Sequence, residues 1–479
     1  MDSPRRAVLA AVTPRTAIHA LDFAPVALAF LGVLASCRAS SSDAPPGSTL
    51  DASANDAPPT ASCERGGVRS ERVAGFDRIT VDDAARGPGY VDVADVNGDG
   101  RSDLIVASLG HPTSDGAKLT LERGHVAVYL QGSSLGCWEK RDVAGDGENL
   151  YFTNEPTAAD VDGDGDIDLI VAAGFFVCSF DKSVGDCGAL AWFENLERGV
   201  AWKRHDVVAK GSSRFFHRGV LVDLDGDGVR DLVTVGETGS SARAMWFKGN
   251  TSADRFDRTE LVIGDALGSF PLVADIDGDG QLDVAAAEYF VRPESFAWFR
   301  RTGAPTPKDP AGTWDHHVID DTSGRGLMMA MVPNLFGDGV ARAVGTNHVN
   351  AADDPTADSA VFVLDAPSDP TSPWTKRKVS TGIVSRASEG QAVRGAPGVF
   401  GWGDIDGDGD VDLAVSGDGD ARTFWIEQTA PRMFATHVIE PSLGQAGGAR
   451  VVDLDGDGKN ELVFTGYEND AVYVYVRVR

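Results

Sequence analysis

The chain has 479 residues, with 72 acidic residues against 43 basic ones and a formal net charge of −29 at pH 7. This acidity argues against a nucleic-acid-binding protein, because such a protein needs a basic surface to neutralise phosphate groups. Apolar residues make up 42% of the chain, which is enough for a large core and excludes a wholly disordered protein. Glycine is abundant but follows no three-residue period, so a collagen-like chain is excluded as well.

The N-terminus carries the features of an export signal. Basic residues precede an apolar run at residues 24–35, which is too short to span a bilayer but suits a signal peptide. The run ends in LASC at residues 34–37, which resembles the bacterial lipobox and implies cleavage before Cys37 and lipid attachment to it. An ordinary signal peptide with a chance cysteine is the alternative, and Arg5-Arg6 leaves twin-arginine export open.

We therefore predict a signal peptide at residues 1–36, followed by a lipidated cysteine and a flexible tether at residues 37–70. The tether is rich in Ala, Ser, Pro and Asp and has no hydrophobic period. The expected location is the bacterial cell envelope, with a lipid anchor as the membrane contact. The outer membrane or the cell surface is favoured over the inner membrane, because Arg38 is not the Asp that retains some lipoproteins there.

The rest of the chain, residues 71–479, consists of seven copies of one unit, about 60 residues apart. Each copy contains the motif Asp-x-Asp-Gly-Asp-Gly-x-x-Asp, and the fifth copy, Asn334 to Arg342, is degenerate. The other six copies carry oxygen-bearing side chains at positions 1, 3, 5 and 9. These residues are Asp95, Asn97, Asp99 and Asp103; Asp160, Asp162, Asp164 and Asp168; Asp223, Asp225, Asp227 and Asp231; Asp275, Asp277, Asp279 and Asp283; Asp404, Asp406, Asp408 and Asp412; and Asp453, Asp455, Asp457 and Glu461.

Each motif lies between two short Val-rich segments, which favour strands over helices. An aromatic strand follows, such as Met245-Trp-Phe247, and then an outer strand with alternating polar and apolar residues. The predicted outer strands begin at Trp138, Trp202, Phe256, Trp314, Trp374 and Phe434. Four short strands per unit, repeated seven times, predict an all-β, seven-bladed β-propeller.

The last unit has no outer strand of its own. A matching segment, Phe76 to Val81, stands instead before the first motif. We predict that this segment completes the last blade, because such pairing would close the ring and leave no open sheet edge between the chain ends.

These motifs resemble the FG-GAP/VCBS repeats, whose best-known members form the propeller heads of integrin α subunits. The resemblance covers roughly residues 70 to 479. It implies calcium loops on one face of the ring and partner binding on the opposite face. No integrin metal-dependent adhesion insert is visible, so integrin ligands are not implied.

The motif chemistry predicts about six Ca²⁺ sites. Positions 1, 3 and 5 supply side-chain oxygens, the glycines allow a tight turn, and position 9 closes the site, which suits calcium better than magnesium. Solvated acidic turns without metal are the alternative. In the fifth copy Phe336 removes one ligand and Arg342 replaces the last carboxylate. We expect that loop to bind no ion and Arg342 to face Asp338.

Four cysteines remain after Cys37 in a compartment that favours disulfides. Cys178 and Cys187 bracket one short loop and form the first predicted pair. Cys63 and Cys137 form the second.

No catalytic arrangement is apparent; the Gly-x-Ser-x-Gly match at residues 132–136 lies between two strands, which excludes a nucleophile elbow. We expect a monomeric, non-enzymatic propeller for recognition or adhesion, with a protein or glycan ligand. The alternatives are a carbohydrate-active lyase or dehydratase that uses the central pocket, and a scaffold partner in an envelope complex. Exposed aromatic residues beside arginine on the opposite face are the candidate ligand contacts, with ordinary loop packing as the alternative: Phe215, Phe216, His217, Arg218, Tyr289, Phe290 and Arg292.

Overall fold

The computed structural model of the protein describes residues 70–114, 119–290, 294–349, 358–385 and 394–478. This part of the chain contains 31 strands and short 3-10 turns. The predicted signal peptide, the lipid site at Cys37, most of the tether, Cys63 and Arg292 lie outside the described residues. None of the helices in the described part has the length and apolar character that a membrane-spanning helix needs.

The strands form seven antiparallel blades in chain order. Before the first blade lie β1 (Ser70–Val73) and β2 (Phe76–Asp82). Blade 1 and its side hairpin contain β3 (Pro88–Ala94), β4 (Asp103–Ser108), β5 (Thr113–Ser114), β6 (Leu119–Thr120), β7 (His125–Gln131) and β8 (Trp138–Ala144). Blade 2 contains β9 (Thr157–Ala159), β10 (Asp168–Ala173), β11 (Gly188–Asn195) and β12 (Trp202–Ser212). Blade 3 contains β13 (Phe215–Val222), β14 (Asp231–Glu237), β15 (Ala242–Phe247) and β16 (Leu261–Gly264).

The remaining four blades repeat this pattern. Blade 4 contains β17 (Ser269–Ala274), β18 (Asp283–Ala287), β19 (Phe296–Gly303) and β20 (Thr313–Asp320). Blade 5 contains β21 (Gly326–Val332), β22 (Arg342–Asn347), β23 (Val361–Asp365) and β24 (Thr375–Lys378). Blade 6 contains β25 (Phe400–Gly403), β26 (Asp412–Val415), β27 (Thr423–Ala430) and β28 (Met433–Glu440). Blade 7 contains β29 (Ala446–Val452), β30 (Glu461–Gly466) and β31 (Ala471–Arg477).

The hydrophobic core is divided into layers between neighbouring blades. Separate clusters of buried side chains join blades 1 and 2, 2 and 3, 3 and 4, and 4 and 5, and one larger cluster joins blades 5, 6 and 7. Trp192, Trp246 and Trp298, each on a third strand, are fully buried. These tryptophans therefore pack in the core, and each blade is stabilised chiefly by burial against its two neighbours.

The ring closes in blade 7 as the sequence predicts. Strand β2 pairs antiparallel with β31, with Ile79 opposite Val474, so an N-terminal segment supplies the missing outer strand. A cluster with Val91 from blade 1 and Val463 from blade 7 completes the circle of core layers. Strand β1 was not predicted; it pairs with β2 and makes the last sheet five-stranded.

The outer strand of blade 3 differs from the prediction. It begins at Leu261 rather than at Phe256. Phe256 forms an isolated bridge with Gly249 and is buried, because the chain first makes a compact turn in which Asn250 N–H donates to the Arg255 carbonyl at 2.7 Å. Phe256 thus lies buried in this turn and is not the first residue of the outer strand. In blade 5 the outer strand begins at Thr375, directly after Trp374.

One of the two predicted disulfides is confirmed. Cys178 and Cys187 are bonded, with their Cα atoms 5.9 Å apart. Cys137 is also disulfide-bonded. Because Cys63 lies outside the described residues, the Cys63–Cys137 pair stays a prediction.

Arg78 on the closing strand provides a test of ring closure. Its guanidinium binds Glu440 at 2.8 Å, and the Glu440 side chain is only 8% exposed. We expect Arg78→Ala to lower the free energy of unfolding by about 2 kcal/mol, because it leaves a buried carboxylate without its charge partner. Chemical denaturation of the purified protein measures this change.

The matched control is Arg72→Ala, since Arg72 pairs with Asp77 on the same hairpin but both side chains are largely exposed. This variant should stay within about 0.5 kcal/mol of the parent. Equal losses in the two variants would contradict a special role for the closing strand.

Candidate metal sites and the opposite face

Each acidic motif forms a tight loop from the first to the second strand of its blade. In the third repeat the Asp223 carboxylate accepts the backbone N–H groups of Gly226 and Gly228, at 2.8 and 3.0 Å. Both glycines have positive φ angles, 79° and 89°, which side chains disfavour. The loop backbone therefore folds around the carboxylate at position 1. Glycines alternate with the acidic residues because the tight turn needs a positive φ angle at these places.

In five repeats the acidic side chains converge. Three carboxylates in each have ligand atoms within 4.8 Å of one another, and these groups are Asp160, Asp162 and Asp168; Asp223, Asp225 and Asp231; Asp275, Asp277 and Asp279; Asp404, Asp406 and Asp412; and Asp453, Asp455 and Glu461. Such a set of hard oxygen donors fits a hard divalent cation. The first repeat, in which Asn97 replaces one carboxylate and donates its amide to Asp99 at 3.1 Å, is not among these five groups of the described residues.

The carboxylate at position 9 has a second role. In the sixth repeat Asp412 is buried, and its two oxygens accept the backbone N–H groups of Ile405 in the loop and Gln428 on the third strand, at 3.1 and 2.8 Å. Corresponding pairs of bonds are made by Asp103, Asp168, Asp231 and Asp283. Position 9 therefore fixes the loop to the sheet independently of any metal.

Burial also raises the pKa of these carboxyl groups. The pKa rises to about 6 in Asp168, Asp231 and Asp283. It rises to about 7 in Asp103, Asp412 and Glu461. Loss of hydration is the main cause, hydrogen bonds from the backbone oppose it, and neighbouring loop carboxylates add to it. A bound cation would act in the opposite direction, because it favours the ionised carboxylate.

Neighbouring loops are hydrogen-bonded to one another, an arrangement that we call the loop girdle. The Gln131 side chain of blade 1 donates to the Leu454 carbonyl in the seventh loop at 3.0 Å, and Asn195 of blade 2 donates to Val96 in the first loop at 3.0 Å. Further links in the same direction are Arg230 to Asp160, Arg301 to Leu224, Gln428 to Leu335 and Asn460 to Asp404. Between the fourth and fifth loops, no such bond joins the described residues.

Sequence analysis did not single out these girdle residues. Four of them, Gln131, Asn195, Arg301 and Gln428, lie at the same place near the end of a third strand and are at most 5% exposed. The available signal was a polar residue (Gln, Asn or Arg) that recurs near the end of the aromatic third strand.

The fifth loop contains the expected internal ion pair. The Arg342 guanidinium contacts Asp338 at 2.6 Å and Asp365 at 3.2 Å. Phe336 occupies position 3 and is buried beneath Arg342 and Arg432. The predicted Arg342–Asp338 contact is therefore confirmed, while the absence of an ion at this loop stays a prediction.

On the opposite face the proposed ligand contacts need correction. Phe215, Phe216 and His217 belong to strand β13 and are buried, so they are not exposed loop residues. The Phe215 ring packs against the Phe175 ring, and His217 binds the buried Glu237 at 3.0 Å. Arg218 and Tyr289, together with Phe290, remain partly exposed.

The innermost strands meet on the ring axis. Tyr90 of blade 1 and Phe270 of blade 4 contact each other across the centre, with ring centroids 5.6 Å apart, and Arg218 lies over Phe270. Glu155, only 3% exposed, accepts hydrogen bonds from Arg218 at 2.8 Å and from Arg450 at 2.5 Å. We call these five residues the axial cluster; it joins blades 1, 2, 3, 4 and 7.

Further polar groups surround the axial cluster. His348 lies 3.7 Å from Asp418, and the ring centroids of His348 and Tyr289 are 5.3 Å apart. Burial raises the pKa of Tyr90, and the charges of Asp418 and Glu155 raise it further. Ring contacts that run from Tyr289 through Phe290, Phe215 and His217 to Phe270 place these residues in one region. Together with the axial cluster, Tyr289, His348 and Asp418 form what we call the axial pocket.

A family model for an FG-GAP-like repeat matches the chain at residues 95–171, 223–286 and 404–464. These three regions are similar to FG-GAP-like repeats. The resemblance seen in the acidic motifs is thereby confirmed over those three regions, each of which begins at position 1 of a motif.

No curated protein sequence matches the chain. Solved structures similar to it include BBS1N in complex with ARL6DN, at 12% identity and a TM-score of 0.48 over 86% of this chain and 96% of that one. The rhamnogalacturonan lyase PL11 of Bacillus licheniformis has 12% identity and a TM-score of 0.43 over 84% and 72% of the two chains. The α-L-arabinanase of Penicillium chrysogenum, complexed with arabinobiose, has 11% identity and a TM-score of 0.45 over 85% and 98%.

The dual role of position 9 predicts different effects for two aspartates of one loop. In the presence of a chelator, Asp412→Ala should lower the free energy of unfolding by about 2 kcal/mol, because two buried N–H groups lose their acceptors. The exposed Asp408 accepts one backbone N–H, from Asp410 at 2.9 Å. Asp408→Ala should therefore change stability by less than about 0.5 kcal/mol under the same conditions. If Asp412→Ala lowered stability no more than Asp408→Ala in the presence of the chelator, position 9 would act only through metal.

Proposed function

We propose that the protein is a calcium-stabilised propeller on a bacterial envelope that recognises a protein or carbohydrate ligand through the axial pocket. The observation that carries this proposal is the division between the two ends of the ring. Acidic loops occupy the end where first and second strands meet. Polar and aromatic groups of five different blades converge on the axis near the other end.

Calcium is the cation that best matches the loops. Each group offers several carboxylate oxygens, and calcium accepts six to eight oxygen ligands where magnesium prefers a small octahedral shell that retains water. The six complete loops bring 23 of the 72 acidic residues together, so cation binding would remove repulsion between carboxylates only a few ångströms apart. Six sites, with the fifth loop empty, remain our expectation.

The axial pocket has the composition of a recognition site. Arg218 and Arg450 have side chains 18% and 21% exposed, although both are bound to Glu155, so part of each side chain stays accessible to a ligand. The positive and negative charges of the pocket nearly balance, and donors and acceptors stand next to aromatic rings. This mixture suits a ligand rich in hydroxyl groups, such as a glycan, or a polar protein loop.

A carbohydrate-active enzyme is the second candidate. The specific observation in its favour is that His348, Asp418 and Tyr90 are titratable groups within the same pocket. The tether and the lipidated Cys37 would hold either kind of protein at the envelope surface.

Metal removal tests the calcium part of the proposal. With calcium in excess at pH 8 we expect the melting temperature to exceed that of the chelated protein by about 10 °C or more, because several ions bind only the folded state. In the presence of a chelator, the protein should become less stable as the pH rises from 5 to 8. The position 9 carboxyls have folded pKa values of about 6 to 7, above their unfolded values, so the stability that they contribute at pH 5 is lost as the pH rises to 8.

The chelated protein should therefore melt at a higher temperature at pH 5 than at pH 8, while the calcium-loaded protein should not. Elemental analysis of the loaded protein should find about six calcium ions per chain. Identical melting curves with and without chelator, and no bound calcium, would refute this part.

Ligand binding tests the recognition part. We expect hits on a glycan array or a surface-protein array with the calcium-loaded protein, and we expect Arg218→Met and Tyr289→Ala each to weaken a hit by about tenfold or more. Arg243→Met is the control, because Arg243 is on the outer side of blade 3 and pairs with Glu260 and Asp265. Conversion of a bound glycan to product would favour the enzyme, and unchanged binding in both pocket variants would exclude the axial pocket.

A further inference from the structure

One residue on each third strand stands opposite position 9 of the acidic motif. In blade 3 Leu232 pairs with Phe247, so the next residue, Lys248, stands opposite Asp231. We call this the partner position. In the seven repeats, in chain order, it holds Leu130, Glu194, Lys248, Arg300, Asp365, Glu427 and Val476. The residue at the partner position is therefore apolar, acidic or basic, although the acidic motifs of the six complete loops are alike.

In the third and fourth repeats the basic partner residue reaches the loop carboxylates. The Lys248 ammonium group contacts Asp225 and also Asp227, the latter at 2.7 Å. Arg300 makes the equivalent contacts, at 2.5 Å to Asp277 and 3.7 Å to the carboxylate of position 5. Each side chain thus brings a positive charge to positions 3 and 5, where a cation would be bound.

The second and sixth repeats have the opposite charge at the partner position. Glu194 and Glu427 stand there, and both motifs also carry an additional aspartate at position 7, Asp166 and Asp410. The basic groups that approach these loops lie farther away. In the second loop Arg255 is 3.8 Å from Asp162 at position 3, and in the sixth loop Arg477 is 4.0 Å from Asp406 at the same position. These two loops therefore collect the largest negative charge.

Each glutamate at the partner position is itself held by basic groups on the outer strand. Glu194 contacts Lys203 at 3.0 Å and His205 at 2.7 Å, and Glu427 contacts His437 at 2.6 Å. These contacts reduce but do not remove the charge difference, because the additional aspartates at position 7 remain. The first and seventh repeats, like the third and fourth, have a basic residue beside the loop carboxylates: Arg101 and Lys459 stand at position 7 and contact the carboxylate of position 5.

The fifth repeat supports a direct link between the partner position and the loop charge. There position 9 has become Arg342, and the partner position has become Asp365, which binds Arg342 at 3.2 Å. The acidic partner residue thus forms an ion pair with the basic residue that stands in place of the carboxylate at position 9. Three of the seven partner residues, Lys248, Arg300 and Asp365, therefore form ion pairs with their loops.

We infer that the six complete loops form two affinity classes, in which the second and sixth loops bind Ca²⁺ more tightly than the others. Lys248 and Arg300 act as tethered cations that compete with the ion in the third and fourth loops. This inference rests on the proposed binding of calcium to the motifs. A single charge at contact distance from the ligands is expected to change the affinity of its loop by about tenfold.

Calcium titration calorimetry on the full-length, metal-stripped chain tests the inference. The parent protein should bind about two ions in a tight phase and the rest in a phase about tenfold weaker or more. In the double variant Lys248→Met and Arg300→Met the weak phase should shift to about tenfold tighter binding for about two of its ions, because the competing charges are gone. In Glu427→Gln the tight phase should shrink, since the sixth loop loses negative charge.

Lys140→Met is the matched control. Lys140 binds Asp82 away from the loops, so this variant changes the net charge of the protein in the same sense but should leave both phases unchanged. Circular dichroism would show that every variant is folded. A single class of sites, or two phases that the double variant leaves unaltered, would overturn the inference while calcium binding itself stands. No binding in any variant would overturn the calcium proposal and this inference with it.

Discussion

The propeller depends on a buried carboxylate that accepts backbone N–H groups from two directions. Asp412 and its counterparts join an acidic loop to the third strand of the same blade. This bond network holds the loop closed, but it also keeps several carboxylates close together. In each repeat the hydrogen bonds therefore hold the loop closed, while electrostatic repulsion between its carboxylates opposes closure. A divalent cation is the simplest group that would remove the repulsion and leave the hydrogen bonds in place.

The two ends of the ring have different constraints. At the loop end the same short turn recurs, and the loop girdle connects most neighbours through buried side chains. At the other end the connections vary in length and sequence, and the axial cluster combines residues that no repeat shares. Glu155 and Arg450, for example, are 295 positions apart in the chain and occur once each. A repeated scaffold with one variable end is suited to recognition, because binding residues can change there without disturbing the loops.

Much of this architecture follows from local patterns. The motif spacing predicted the seven blades, and the displaced outer strand predicted the closure by Phe76–Asp82. Contacts between blades were not predictable in the same way. The axial cluster unites residues from five blades, and periodicity within one repeat contains no information about which side chains meet on the axis. The prediction that Phe215 and Phe216 are exposed ligand contacts is wrong, because both lie at the start of strand β13 and are buried.

Because the loop girdle lacks a link between the fourth and fifth loops, the junction between blades 4 and 5 is the weakest point of the girdle. Blades 4 and 5 share a hydrophobic core layer but, among the described residues, no hydrogen bond joins their loops. The degenerate fifth loop, held by its own ion pair, lies on one side of that gap. A torus that is pulled or twisted deforms first where its segments are least connected. Mechanical strain would then concentrate at this junction, several blades away from the seam where the two ends of the chain are paired.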